Sequence, residues 1–115
     1  MTDRARRTRL LFVCSANLNR SRTAEDLFHE HPRYEARSCG VLPEAVRVCS
    51  GDLIRWADII ICMEDWQRQF LATSFPEMAG KRVLVLNIPD QYFRGDPHLV
   101  LRLRHELARV LDDFT

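Results

Sequence analysis

The stretch "RLLFVC", residues 9–14, restricts the possible folds more than any other part of the chain. A short apolar run with no alternation is the pattern of a strand buried on both faces, and such strands belong to parallel sheets covered by helices. The rest of the chain keeps to that plan. Ala24, Leu27, Phe28 and His31 fall at i, i+3, i+4 and i+7 and predict one helix face, with Glu25 and Asp26 in the early turns, where the macrodipole favours acids. Pro32 is expected to end this helix. "YEARS" (34–38) reads as a weaker strand before a turn at Gly40, and residues 43–57 read as helical but interrupted by "CSGD". "DIIIC" (58–62) is a second strong strand, and residues 64–72 form a helix with Trp66 and Phe70 inward. "KRVLVLNI" (81–88) is the last strand, and "NIPDQYFRG" comes after it as a loop. Asp96-Pro97 then opens the final helix as an N-cap with proline at the first helical position. Leu99, Leu103, Leu107, Val110 and Leu111 form its inner stripe. The order βαβαβαβα predicts an α/β fold of three layers, αβα, around a four-stranded parallel sheet. Ligands of such sheets bind beyond the C-terminal ends of the strands. Cys14 ends the first strand, and Asp90 follows the fourth.

The 115 residues suffice for one core, and no linker, repeat or low-complexity segment divides them, so residues 1–115 read as a single domain. The formal net charge of +1 gives no bulk drive toward nucleic acid or membrane, and neither is expected as a partner. Arg4, Arg6, Arg7 and Arg9 crowd the N-terminus, and residues 1–8 read as a frayed, solvated basic end. The apolar run 10–13 is too short for a signal peptide, and no segment is long enough to span a bilayer. A cytoplasmic protein with reduced thiols is expected, its four cysteines buried or chemical rather than paired. No Cys/His spacing resembles a zinc site, His29-x-His31 included.

Three of those cysteines stand six residues before an arginine: Cys14 before Arg20, Cys49 before Arg55 and Cys62 before Arg68. The spacing alone does not choose among them. A thiolate that attacks phosphate needs a strand end, a loop that can turn its N–H groups inward, and a helix starting at once to hold the anion. It also needs an arginine to fork onto the phosphoryl oxygens, with no acid nearby to repel a dianion. Cys62 is followed by Glu64 and Asp65, which oppose phosphate and suit a helix start. Cys49 has Asp52 in its loop and no clear strand before it. Cys14 meets every condition. Its loop is uncharged, Asn17 tolerates left-handed backbone angles, and the Ser21 hydroxyl can donate to the thiolate. Asp90 is the acid best placed at the same sheet edge, because Asp96 is explained as a helix cap and Asp58 opens a strand at the opposite end.

The segment "LFVCSANLNRSRTAEDLF" resembles the N-terminal signature of low-molecular-weight protein tyrosine phosphatases, V-C-x5-R-S followed by a helix. "RSCG" (37–40), "ADIIICMED" (57–65) and "IPDQYF" (88–93) resemble three further landmarks of that family, in order and across nearly the whole chain. The resemblance implies a four-stranded parallel sheet with the phosphate loop after its first strand. It implies phosphoric monoester hydrolysis, of protein phosphotyrosine, through a phosphocysteine on Cys14. Arg20 would bind phosphate together with the backbone amides of Ser15, Ala16, Asn17, Leu18, Asn19 and Arg20 itself. Asp90 would be general acid and then base, Ser21 would steady the thiolate, and Asn17 and Ser38 would brace the loop. Leu18, Tyr92 and Phe93 would line the substrate cleft. No metal and no cofactor is implied. The partners would be a phosphorylated protein or a small aryl phosphate, with phosphate or sulfate able to occupy the loop.

The chain departs from that pattern at four places. Arg22 replaces a proline and adds a cation beside the cleft. Asn19 replaces a second loop cysteine, so Cys14 has no disulfide partner within its own loop. Gln91 replaces the proline of the acid loop. The segment between Gly40 and Asp58 is short, which weakens tyrosine specificity more than phosphatase chemistry. Two other readings fit the same fold: an arsenate reductase relaying electrons through Cys39, Cys49 or Cys62, and a phosphate-binding signalling module without turnover. A pure binder needs neither the thiol nor the acid.

Overall fold

A computed structural model describes residues 6–112 and Phe114. The elements are β1 (Thr8–Cys14), α1 (Arg20–Leu27), β2 (Tyr34–Gly40), α2 (Gly51–Trp56), β3 (Ile59–Cys62), α3 (Asp65–Ser74), β4 (Arg82–Val85) and α4 (Pro97–Val110), with a 3-10 turn at Pro76–Met78. The strands form one sheet in the order β2-β1-β3-β4, and every neighbouring pair is parallel. β1 lies inside the sheet because its residues 10–13 are apolar on both faces and fully buried. Leu10 and Phe12 pack with Phe28, Leu99, Leu103 and Leu107 under α1 and α4. Leu11 and Val13 face the other way, onto Ile54 and Leu71 under α2 and α3. The three layers follow from this alternation. Each such side chain removed from water contributes about 1.5–3 kcal/mol.

Strand order reverses between β1 and β3: the chain leaves β1 for α1 on one face, and leaves β3 for α3 on the other. The two connections part there and open a crevice at the C-terminal edge, the place where parallel sheets bind ligands. At the far end of α4's loop, Asp96 caps the helix as expected, its Oδ1 accepting from His98 N at 2.8 Å.

Five expectations change. First, the N-terminal run is not frayed from Arg6 onward. Arg6 donates to both Asp58 oxygens at 2.8 and 2.9 Å, and Thr8 already belongs to β1. Arg4 and the rest of residues 1–5 lie outside the described residues. Second, residues 43–50 are not helical; only α2 is. Val41, Leu42 and Val46 give their N–H groups to the Cys14, Ser15 and Ala16 carbonyls, and these distant partners displace helical ones. Third, Trp66 and Phe70 are exposed at 44% and 41%, while Gln67 and Leu71, one position along, face inward. Fourth, Cys39 and Cys49 are joined in a disulfide, so the expectation of reduced thiols fails for these two. Cys62 is a buried free thiol, and burial pushes its pKa up to about 12. Fifth, α1 stops at Leu27, before Pro32. No helix among the described residues is long and apolar enough to cross a membrane.

Candidate active site

Cys14 is the last residue of β1, and the loop 15–19 carries the chain from it to the first residue of α1, Arg20. The loop keeps its shape through three outward carbonyls. Val41 N donates to Cys14 O at 3.0 Å, Leu42 N to Ser15 O at 3.0 Å and Val46 N to Ala16 O at 3.1 Å. In a trans peptide the N–H points opposite to its C=O. The amides of Ser15, Ala16 and Asn17 are thereby turned away from this brace and into the loop. Asn17 supplies the reversal with a φ of +55°. Gly40 lets the brace approach: a Cβ there would lie 2.5 Å from Ser15 O and 2.8 Å from Asn17 N.

Beneath the loop runs a buried polar chain. Asn17 Nδ2 donates to Ser21 Oγ at 2.8 Å and to Ser38 Oγ at 2.9 Å, and Asn17 Oδ1 accepts from Arg47 N at 3.2 Å. Ser38 Oγ donates onward to Glu25 Oε1 at 2.5 Å. Because Ser21 accepts from Asn17, its own proton is free for Cys14 Sγ, 3.0 Å away. A thiolate at Cys14 therefore has a hydroxyl donor in place and stands at the N-terminal end of α1, where the helix favours negative charge.

Arg20 is 1% exposed despite its charge. Nη1 donates to Glu64 Oε2 at 2.5 Å and to the Ile88 carbonyl at 2.9 Å, and Nη2 donates to Ser15 Oγ at 3.2 Å. Asp90 Oδ1 stands 3.8 Å from Nε. Cys14, Ala16, Leu18, Asn19, Arg20 and Asp90 line a cavity of about 60 Å³. The loop that carries Asp90 is tied to α1. Arg94 forks onto Asp26 at 2.9 and 3.0 Å, Arg94 N donates to Asn19 Oδ1 at 3.1 Å, and Gly95 N donates to Thr23 Oγ1 at 3.0 Å.

The structure thus brings Cys14, Arg20, Asp90, Ser21, Asn17 and Ser38 together. It treats the remaining expected residues less evenly. Leu18 is half exposed at the rim. Tyr92 packs against the α1/α4 core, whereas Phe93 is 81% exposed. Arg22 lines a neighbouring cavity of about 130 Å³ with Arg47 and Arg94, not the one that holds Cys14. The sequence reading missed Glu64 and Gln67. Gln67 Nε2 donates to Ser15 Oγ at 3.3 Å, and its Oε1 accepts from Glu64 N at 2.9 Å. One signal was available: both residues follow β3 at the same sheet edge as Cys14. Among the described residues, no group of three or more His, Cys, Asp or Glu side chains is placed to hold a metal ion.

This architecture is the low-molecular-weight protein tyrosine phosphatase fold. The tyrosine phosphatase Wzb from Escherichia coli K30, solved in complex with phosphate, superposes with a TM-score of 0.74 at 20% identity, over 90% of this chain and 96% of that one. A structure described as a protein tyrosine phosphatase reaches 0.69 at 26% identity, over 87% and 90%. The YwlE arginine phosphatase from Geobacillus stearothermophilus reaches 0.64 at 20% identity, over 91% and 98%. No family sequence model and no curated protein matches the chain by sequence.

Proposed function

We propose that the protein is a phosphoric monoester hydrolase that acts on phosphotyrosine or another aryl phosphate through a phosphocysteine. The reading rests on one observation above all: a buried thiol with a hydroxyl donor at 3.0 Å opens into a small cavity whose walls include an arginine and a carboxylate. Cys14 Sγ attacks phosphorus as the P–O bond to the leaving group breaks. Arg20 and the amides turned into the loop hold the equatorial oxygens and offset their charge in the transition state. Asp90 gives its proton to the departing oxygen, then takes one from the water that cleaves the S–P bond and releases phosphate. Thiol and acid are both restored.

Aryl phosphate is preferred over phosphoarginine because Leu18 and Phe93 offer exposed apolar surface, suited to a ring. Arsenate reduction is disfavoured, since Cys39 and Cys49 are bonded to each other and Cys62 is buried. A cytoplasmic setting belongs to the same proposal, and the Cys39–Cys49 pair would there exchange with the glutathione pool.

The test is metal-free hydrolysis of p-nitrophenyl phosphate by wild type, Cys14→Ser and Asp90→Ala, followed by phosphotyrosine and phosphoarginine peptides. Near-complete loss in Cys14→Ser and faster turnover of phosphotyrosine are expected. Full activity in Cys14→Ser would rule out the phosphocysteine route.

A further inference from the structure

We infer that Asn19, Arg94 and Asp26 are positioning residues: they clamp the acid loop onto the start of α1 and so set where Asp90 stands. This rests on the hydrolase reading above. Asp90 does little to place itself. Its side chain is 63% exposed, and among the described residues its carboxylate has no polar partner except Arg20 Nε at 3.8 Å. Gln91 follows it, so no proline ring fixes the backbone beyond the acid. The place of the acid therefore depends on how the loop is held at its two ends. The near end is fixed beside the sheet: Ile88 N donates to Met63 O at 2.8 Å, and Ile88 O accepts from Arg20 Nη1 at 2.9 Å. Further along, Tyr92 packs against the core and Phe93 is exposed. The far end is held by polar contacts to α1.

Those contacts form a stripe. Asn19, Thr23 and Asp26 fall at i, i+4 and i+7, on one face of a helix. Each takes one group from the acid loop. Asn19 Oδ1 accepts from Arg94 N at 3.1 Å, and Thr23 Oγ1 accepts from Gly95 N at 3.0 Å. The Asp26 carboxylate receives the fork of Arg94 at 2.9 and 3.0 Å, and two parallel bonds fix direction as well as distance. Asn19 carries the inference furthest. It stands at the N-cap of α1, where an asparagine side chain ordinarily accepts from the helix's own N–H groups. Here it makes no such bond, and its side-chain oxygen serves Arg94 N instead. Asn19 also lines the cavity that holds Cys14, so one residue touches both the anion site and the acid loop. Thr23 Oγ1 donates to Asn19 O at 2.7 Å, which ties the second contact to the first.

The rival role is support of the fold alone, and the two roles differ in what a substitution changes. The experiment measures kcat/KM on phenyl phosphate and p-nitrophenyl phosphate. It compares wild type, Cys14→Ser, Asn19→Ala, Arg94→Ala, Asp26→Asn, Asp90→Ala and the double variant Arg94→Ala/Asp90→Ala. Asn19→Ala and Arg94→Ala should lower kcat/KM on phenyl phosphate about 10–100-fold, the loss that a misplacement of about 1 Å produces. The loss on p-nitrophenyl phosphate should be smaller, since its phenolate departs with less help from an acid. Asp26→Asn should give a weaker loss of the same kind. Because these residues act through Asp90, Arg94→Ala should add nothing once residue 90 is alanine. Equal losses on the two substrates, or losses that multiply in the double variant, overturn the assignment. Where Arg94→Ala does not fold, Asp26→Asn carries the same comparison. An arm independent of turnover follows amide hydrogen exchange. The Arg94 and Gly95 amides should exchange slowly in wild type, and faster in Asn19→Ala together with residues 90–93. Unchanged exchange overturns the clamp. Wild type as inactive as Cys14→Ser on both substrates refutes the hydrolase reading, whereas equal losses from an active wild type refute the positioning role alone.

Discussion

Asp90 Oδ1 stands 3.8 Å from Arg20 Nε, although Arg20 opens α1 after the first strand and Asp90 lies on the loop after the fourth. The carboxyl group is close enough to reach the leaving-group side of a phosphoryl bound at that edge. Asp90→Ala should cut kcat on phenyl phosphate about 10²–10⁴-fold, the usual loss for a general acid. The loss on p-nitrophenyl phosphate should be smaller, since its phenolate needs less protonation. A series of aryl phosphates checks this: the rate should depend more steeply on leaving-group pKa in the variant. Parallel slopes in variant and wild type would sink the acid role.

Gly40 touches the loop from below, and its replacement tests how tightly the brace must fit. Gly40→Ala places a methyl group 2.5 Å from Ser15 O, against backbone that cannot swing aside. Overpacking of this kind costs about 1–3 kcal/mol. Thermal unfolding should show that loss, and phosphate binding should weaken with it. A variant with wild-type Tm and phosphate affinity would mean the loop tolerates displacement.

The Cys39–Cys49 bond closes a loop with a sequence separation of 10, and that loop carries the brace residues Val41, Leu42 and Val46. Chain-entropy arguments give such a crosslink about 2–3 kcal/mol. Cys49→Ser should lower Tm by about 10 °C, given the usual unfolding entropy of a domain this size. Dithiothreitol should lower the wild type to the same value and leave Cys49→Ser unmoved. Equal melting with and without reductant would show that the bond contributes nothing.

The Arg6 guanidinium hydrogen-bonds to Asp58 and, with Arg9 N also donating, lowers its pKa from 3.8 to about 2. A folded value below the unfolded one means that the deprotonated pair stabilises the fold above about pH 4. The contribution fades as pH falls toward 2. Asp58→Asn should therefore melt a few degrees below wild type at neutral pH, modestly because Arg6 is exposed, and converge with it near pH 2. A gap that persists at pH 2 would assign the effect to something other than charge.

Much of the site could be read locally. Cys14, Arg20 and Ser21 lie within one strand–loop–helix stretch, and the sequence rules that place nucleophile and anion there need no distant information. Asp90 required only the rule that parallel sheets work at their C-terminal edge. Glu64 was harder. Its charge read as an obstacle to phosphate near Cys62, and only the strand order brings it to the back of Arg20. Trp66 and Phe70 misled for a simpler reason. Gln67 and Leu71 repeat at the same i, i+4 interval one position on, and a polar contact to Ser15 selects their face. Residues 43–50 read as helical because nothing nearby reveals that the N–H groups of this segment bond the loop, as Val46 does at the Ala16 carbonyl. The Cys39–Cys49 pairing was likewise hidden, since β2 and the segment after it meet only in the folded chain.

The thiol, the turned amides and the guanidinium occupy one unbroken segment, residues 14–20, while Glu64, Gln67 and Asp90 arrive from the second half of the chain. On the proposed mechanism, the group that attacks and the group that protonates are thus encoded in separate halves of the chain. On that mechanism, a change at Asp90 would retune how fast a captured group departs while residues 14–20 stay as they are. Changes within 14–21 would alter capture and departure at once.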